Sequence, residues 1–226
     1  ADLIRTFTKA GERVLDPFMG VGGTLIGATI SDRSAVGVEV NPRWVEIYRE
    51  VCRLEGLTEQ EAICGDSRAV LPTFPDEAFD LVLTDVPYWN MDRRRRSTGK
   101  FKRAGGPAVE RRRSKLSPFA PGETETGVTG LAEKEEWLET MRAVFAQAMR
   151  VLRRRRYLVV FIGDMYHSGR YHMLSAQLAE LLEGLGLVLK ANLIWYDVSK
   201  SLHVYGYRYE FIPSMVHQNI LVLRKP

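Results

Sequence analysis

The sequence predicts an α/β fold: a doubly wound, mostly parallel sheet of seven strands that ends in a C-terminal antiparallel hairpin at one edge. Three observations lead there. Short apolar segments alternate with longer amphipathic ones, turns rich in glycine and acid follow the apolar segments directly, and the last two apolar segments have no helical pattern between them. Arg13–Leu15, Ala35–Val38, Ala62–Cys64, Phe79–Thr84 and Tyr157–Ile162 are strand-sized and hydrophobic throughout, as burial on both faces requires. Helical periodicity fills Gly23–Ile30, Pro42–Glu55, Glu133–Leu152 and Met173–Leu185. Asn41 before Pro42 supplies an N-cap and a favoured first-turn proline for the second of these helices. Ala191–Tyr196 and Asn219–Arg224 form the closing hairpin, joined by a polar stretch rich in aromatics that includes Lys200–Tyr207.

At 226 residues, 45% hydrophobic and 27% charged, the chain has the make-up of a single folded domain over 1–226. Its longest apolar run, Tyr157–Ile162, falls far short of the roughly 18 residues of a membrane span. The first residues hold no apolar signal-peptide core, and Cys52 and Cys64 make neither a disulfide framework nor a CxxC pair, so a reduced, cytoplasmic protein is expected. The net charge of +4 is unevenly spread. Between Asp92 and Lys115 eleven Lys/Arg stand against two acids, +9 in twenty-four residues, which leaves −5 for the rest. This segment lies in an insertion loop at about 90–130, too long to be a mere connection. A basic segment on an acidic body points to contact with a polyanion; a solvated loop is the alternative.

The first strand runs into Asp16-Pro17-Phe18-Met19-Gly20-Val21-Gly22-Gly23-Thr24 and then a helix. In an open parallel sheet ligands sit at the carboxyl ends of strands, so this turn is where a cofactor approaches. Its glycines let backbone come close. The second strand ends at Glu39, nineteen residues after Gly20, where a carboxylate can accept hydrogen bonds from ribose hydroxyls. The third ends at Gly65-Asp66, adding an acceptor for an adenine amine. The dinucleotide fingerprint fails because Leu25 takes the place of its last glycine, and no phosphate-loop Gly-Lys-Ser/Thr is present. Asp16 would repel a pyrophosphate but suits a cationic amino group such as that of S-adenosylmethionine.

The fourth strand ends in Asp85-Val86-Pro87-Tyr88-Trp89, across the topological switch point from the first turn. Methyl transfer to an exocyclic base amine needs acceptors for the amine hydrogens, because the nitrogen lone pair is delocalised into the ring. The Asp85 carboxylate and the Val86 carbonyl can be those acceptors. Pro87 stiffens the turn and holds Val86 extended. Tyr88 offers a face on which an everted base stacks, and Trp89 a second surface.

In DPFMGVGGT, GVEVNP, GDS and TDVPYW, taken in that order, the chain resembles the S-adenosylmethionine-dependent amino-methyltransferases of DNA, which modify adenine N6 or cytosine N4. The resemblance extends through Val159–Asp164 and the closing HQNILVLRKP, over most of the chain. It implies a Rossmann-like methyltransferase fold, with Asp16, Phe18, Gly20, Gly22, Thr24, Glu39 and Asp66 at the cofactor and Asp85, Val86, Pro87 and Tyr88 at the target amine. It also implies a role in DNA methylation of the restriction-modification kind, in contact with the nucleoid. The chain departs from the family in two places: Val86 stands where a first proline is usual, and the turn reads GVGGT rather than GSGTT. The family's further cofactor-binding segment would precede the first strand, where only Asp2–Thr8 is available.

Trp89, Arg93, Arg94, Arg95, Arg96, Lys100, Lys102 and Arg103 are the expected nucleic-acid contacts, because that stretch leaves the catalytic turn directly. Arg153–Arg156 follows a predicted helix, where cations complement its carbonyl end more readily than they meet nucleic acid. His167 and His172 stand apart from any Cys/His cluster, and methyl transfer needs no metal, so none is expected. The leading expectation is a base-flipping DNA methyltransferase with adenine N6 favoured over cytosine N4. No cysteine adjoins the tetrad, which argues against thiolate chemistry at cytosine carbon 5. The alternatives are an RNA base-amine methyltransferase and a catalytically silent nucleic-acid-binding module. A monomer or homodimer is expected; specificity would come from the basic loop, the hairpin loop, a second protomer or a separate specificity element.

Overall fold

In the computed structural model the chain runs α1 (Asp2–Phe7), β1 (Arg13–Asp16), α2 (Gly23–Thr29), β2 (Ser34–Glu39), α3 (Pro42–Glu55), β3 (Glu61–Cys64), α4 (Ser67–Val70), a 3-10 turn (Leu71–Thr73) and β4 (Phe79–Asp85). It continues with α5 (Lys134–Val151), β5 (Leu152–Ile162), β6 (Met165–His167), β7 (Arg170–His172), α6 (Leu174–Gly184), β8 (Val188–Tyr196), β9 (Val204–Tyr207), β10 (Glu210–Pro213) and β11 (His217–Arg224). The structure describes residues 1–89, 133–198, 204–207, 210–213 and 215–226. The basic stretch with Arg93, Arg94, Arg95, Arg96, Lys100, Lys102 and Arg103 lies outside them, as do residues 199–203.

Seven strands form one sheet in the order β3-β2-β1-β4-β5-β11-β8. The first five are parallel, and β11 runs against both β5 and β8. The expected seven-stranded doubly wound sheet is therefore present, with β8 and β11 as its antiparallel pair and β8 at the edge. The order reverses between β1 and β4, which makes the cleft at their carboxyl ends the switch point. Between β8 and β11 the chain makes a further two-stranded hairpin, β9 with β10.

Burial on both faces explains the unbroken apolar runs. In β4, Leu81 and Leu83 face the layer of α1, α2 and α3, packing with Ile4, Leu25, Ala28, Tyr48 and Cys52, while Val82 faces the opposite layer. There Trp137, Met141, Val144, Phe145 and Ala148 of α5 meet Leu174, Leu178 and Leu182 of α6. β5 and β11 alternate in the same way, Val159 and Val222 on one face, Leu158 and Leu223 on the other. Asn41 caps α3 as expected, its side chain accepting from the Arg43 N–H at 3.0 Å. Among the described residues no helix is long and apolar enough to cross a membrane.

The arginine run corrects its sequence reading. Arg153–Arg156 does follow a helix, α5, which ends at Val151, but it lies within β5, which begins at once, rather than at the helix's carbonyl end. The charges of Arg153 and Arg156 are used at the amino end of the sheet, away from the cleft. Asp80, 2% exposed, receives Arg153 at 2.6 Å, Arg156 at 3.3 Å and the Arg13 N–H at 3.0 Å, and Arg156 also pairs with Glu12. The carbonyl end of α5 is met instead by Lys225, whose Nζ donates to the carbonyls of Met149 and Leu152 at 2.8 and 2.6 Å. Removing the buried acceptor strands the Arg13 N–H and takes a carboxylate partner from Arg153 and Arg156. Asp80→Ala is expected to cost about 2 kcal/mol of stability, measured as a lower urea midpoint at unchanged slope.

Candidate active site

β1 and β4 are neighbours in parallel register, Leu15 beside Val82, so the glycine turn and the Asp85–Tyr88 turn leave the sheet side by side. A direct hydrogen bond ties them: Thr84 Oγ1 donates to Asp16 Oδ1 at 2.6 Å. The same oxygen accepts from the Phe18 N–H at 3.0 Å, and Thr24 at the start of α2 donates to the carboxyl as well. Asp16 is 2% exposed. Burial pushes its pKa up to about 6, against these three hydrogen bonds that favour the charged form and with the nearby Glu39 adding to the rise.

Glu39, at the end of β2, has one oxygen on the Gly20 N–H at 3.0 Å and the other on the Asn41 N–H at 2.8 Å. This carboxylate braces the turn, and burial raises its pKa in spite of the backbone donors. Gly22 must be glycine: its φ is +81°, and a Cβ there would run into the Tyr48 ring. Over Gly20 and Gly23 the space is open, with no atom within 4 Å of a Cβ built at either position. Phe18 is half-buried, edge-on to Phe145 at 6.3 Å. Asp66 follows β3, but its carboxylate is engaged: it caps α4 by accepting from the Arg68 N–H at 2.8 Å and pairs with the Arg68 guanidinium at 2.6 Å, which holds its pKa down.

Asp85 is the last residue of β4, open to solvent at the cleft. Surrounding protein strips part of its hydration and Asp16 adds a like charge, so its pKa is pushed up to about 6, opposed by a hydrogen bond from Gln218. Val86 turns the other way. Its side chain is 1% exposed within the core, and its N–H reaches the Phe161 carbonyl at 3.3 Å, so only its main chain is left for the site. The Pro87 carbonyl accepts from the Trp137 indole N–H at 2.8 Å. Tyr88 lies against Gly163, where a Cβ would come within 3.0 Å of its ring, and its hydroxyl accepts from Gln218 and from the Gly163 N–H. Burial, then the Asp85 charge, pushes the phenol up to about 12.

Trp89 departs from its expected part as an outer surface for nucleic acid. It is 7% exposed and sits edge-on to His167 and His172, each ring at 5.1 Å, in the loop and hairpin that follow β5. The apolar contact area of an indole is better satisfied there than in solvent. Of the remaining sequence-named residues, Asp16, Phe18, Gly20, Gly22, Thr24, Glu39, Asp85, Val86, Pro87 and Tyr88 are gathered at this one end of the sheet. Thr84, Trp137, Gly163 and Gln218 were not singled out from sequence. A polar residue opening an otherwise apolar last strand and a glycine directly after a buried strand were the signals for the last two.

The chain matches the DNA methylase family over residues 1–50 and 79–225. It is 42% identical over 80 residues to the tRNA (guanine(10)-N2)-dimethyltransferase of Methanothermobacter thermautotrophicus, a segment that covers 35% of this chain and 23% of that protein. The Type II methyltransferase M.Cfr9I of Citrobacter freundii is 47% identical over 49 residues, 22% of this chain and 16% of its own. Both matches thus span less than a quarter of the relatives' length. Among solved structures, TrmN from Thermus thermophilus shares the fold with a TM-score of 0.58 at 16% identity, covering 100% of this chain and 47% of its own. A SAM-dependent methyltransferase from Methanosarcina mazei does so with a TM-score of 0.59 at 11% identity, covering 100% and 97%. The family match takes in both turns and every strand of the main sheet except β3. The chain belongs to the DNA methylase family.

Proposed function

We propose that this protein transfers a methyl group from S-adenosylmethionine to an exocyclic amine of a base everted from DNA, with adenine N6 preferred to cytosine N4. The observation that carries the reading is the tie between Asp16 and Thr84, which sets an open, acid-lined glycine turn one strand away from Asp85 and Tyr88. The residues present fit the cofactor in kind. The space over Gly20 and Gly23 is clear, Asp16 and Glu39 suit an ammonium and ribose hydroxyls, and Phe18 offers an apolar edge. When bound, the cofactor supplies an electrophilic methyl group. The chain's own side chains do the rest: Asp85 and the Val86 carbonyl draw the amine hydrogens, Tyr88 stacks on the base, and Asp85 takes the proton that the methylated amine releases. Asp66 would join the cofactor only by giving up Arg68.

A second reading has a specific support. The likeness to tRNA guanine-N2 dimethyltransferases covers about a third of the chain, and a carboxylate with a stacking ring reads a base amine without reading the sugar. Incubation with tritium-labelled cofactor and either duplex DNA or tRNA tests both. Label on DNA is the expected result, label on tRNA alone selects the second reading, and label on neither overturns both in favour of a silent binding module.

Asp85→Ala is expected to lower turnover at least about 100-fold while cofactor affinity, read by calorimetry, stays close to wild type. Because only the ionised carboxylate serves as acceptor, the rate should fall as the pH drops through about 6. Stability has the opposite sign. A carboxyl whose folded pKa rises from 3.8 to about 6 favours the fold most at low pH and loses that contribution as the pH climbs through 6. Asp85→Asn should therefore melt above wild type at pH 8, with the gap closing toward pH 4.

A further inference from the structure

β11 runs against β5, and β5 runs parallel to β4, so the amino end of β11 arrives at the rim where β4 delivers its carboxyl end. Gln218, the second residue of β11, uses that arrival. Its Nε2 donates to the Tyr88 hydroxyl, and its side chain also hydrogen-bonds the Asp85 carboxyl. An ionised carboxylate only accepts, so the part of the amide turned toward Asp85 is the NH2 group, whose two N–H bonds match the two acceptors. The Tyr88 oxygen also receives the Gly163 N–H. Gln218 and Gly163 thus both meet the Tyr88 hydroxyl, and the ring lies where a side chain at 163 would have to be.

We propose that Gln218 is a positioning residue for base-amine methylation, one amide holding the Asp85 carboxyl and the Tyr88 ring in a single arrangement so that acceptor and stacking face meet the same base. The inference rests on the function proposed above and adds a residue to it. The groups facing Asp85 are Asp16 at the end of β1 and Gln218; Tyr88 in turn feels Asp85 and Asp164, the latter just after β5. Among these neighbours Gln218 is the one that favours the charged carboxylate. Its loss would free the ring and drive Asp85 toward the neutral acid, which is no longer an acceptor on both oxygens.

Gln218→Met and Gln218→Glu keep the side-chain length and test this. Carbon-13 NMR titration of aspartate-labelled protein, with Asp85→Asn to assign the signal, follows the Asp85 carboxyl without substrate or cofactor. The midpoint is expected to rise in the Met variant and further in the Glu variant. kcat at neutral pH should fall at least roughly tenfold, with the acid limb of the rate profile shifted up alongside the NMR midpoint. The cofactor KM should stay within about twofold and the melting temperature near wild type. An unmoved Asp85 midpoint in both variants overturns the proposal, and so does a raised midpoint with unchanged kcat. Wild-type protein that methylates no nucleic acid would strike at the proposed function instead, a case told apart because the Asp85 midpoint still answers to Gln218.

Discussion

Everything at the cleft depends on the hydrogen bond from Thr84 to Asp16, which crosses the point where the sheet reverses its order. Two strands separated in sequence by more than sixty residues are locked there at their tips, and each tip carries half of the proposed site. Parallel pairing alone brings the backbones together; it leaves the turns free to splay. A short bond between a threonine and a carboxylate buried at 2% exposure removes that freedom. The same carboxylate also receives Phe18 and Thr24, so the glycine turn is organised from its first residue.

Much of this was legible in the sequence because the relevant physics is local. Two-sided burial makes β1, β2, β4, the second half of β5 and most of β11 apolar, so these strands could be read, and Asn41-Pro42 marked the start of α3 to the residue. The glycine turn could be read because Gly20 and Gly22 adopt φ of +51° and +81°, which few residue types permit, and the tetrad because its acid and ring match what a base amine needs and what the resemblance implies. What escaped was set by partners distant in the chain. The indole of Trp137 looks like any helical aromatic until its N–H is found on the Pro87 carbonyl. Trp89 looks like a free stacking surface until two histidines enclose it. Arg153 and Arg156 of β5 look like a cap or a nucleic-acid contact until Glu12 and Asp80 are seen at the other end of the sheet.

The proposed site is also where the fold gives up stability. Asp16, Glu39 and Asp85 crowd one end of the sheet, and burial raises the pKa of each, so each is held ionised at neutral pH against the preference of the fold. The backbone and side-chain donors around them reduce that cost without cancelling it. Acid pairs at the amino end of the sheet behave differently. There Asp80 and Glu12 meet arginines directly. One end of the sheet is neutralised for permanence and the other is left short of counter-charge, a condition suited to receiving cationic or hydrogen-bond-donating ligands.

The bond from Trp137 to the Pro87 carbonyl has a consequence for how such proteins diversify. Pro87 lies in the turn after β4 and Trp137 in the first turn of α5, and that bond fixes the two to one another although fifty residues separate them in the chain. An insertion or deletion between these two anchors leaves the bond itself, and the turn that ends in Tyr88, where they are.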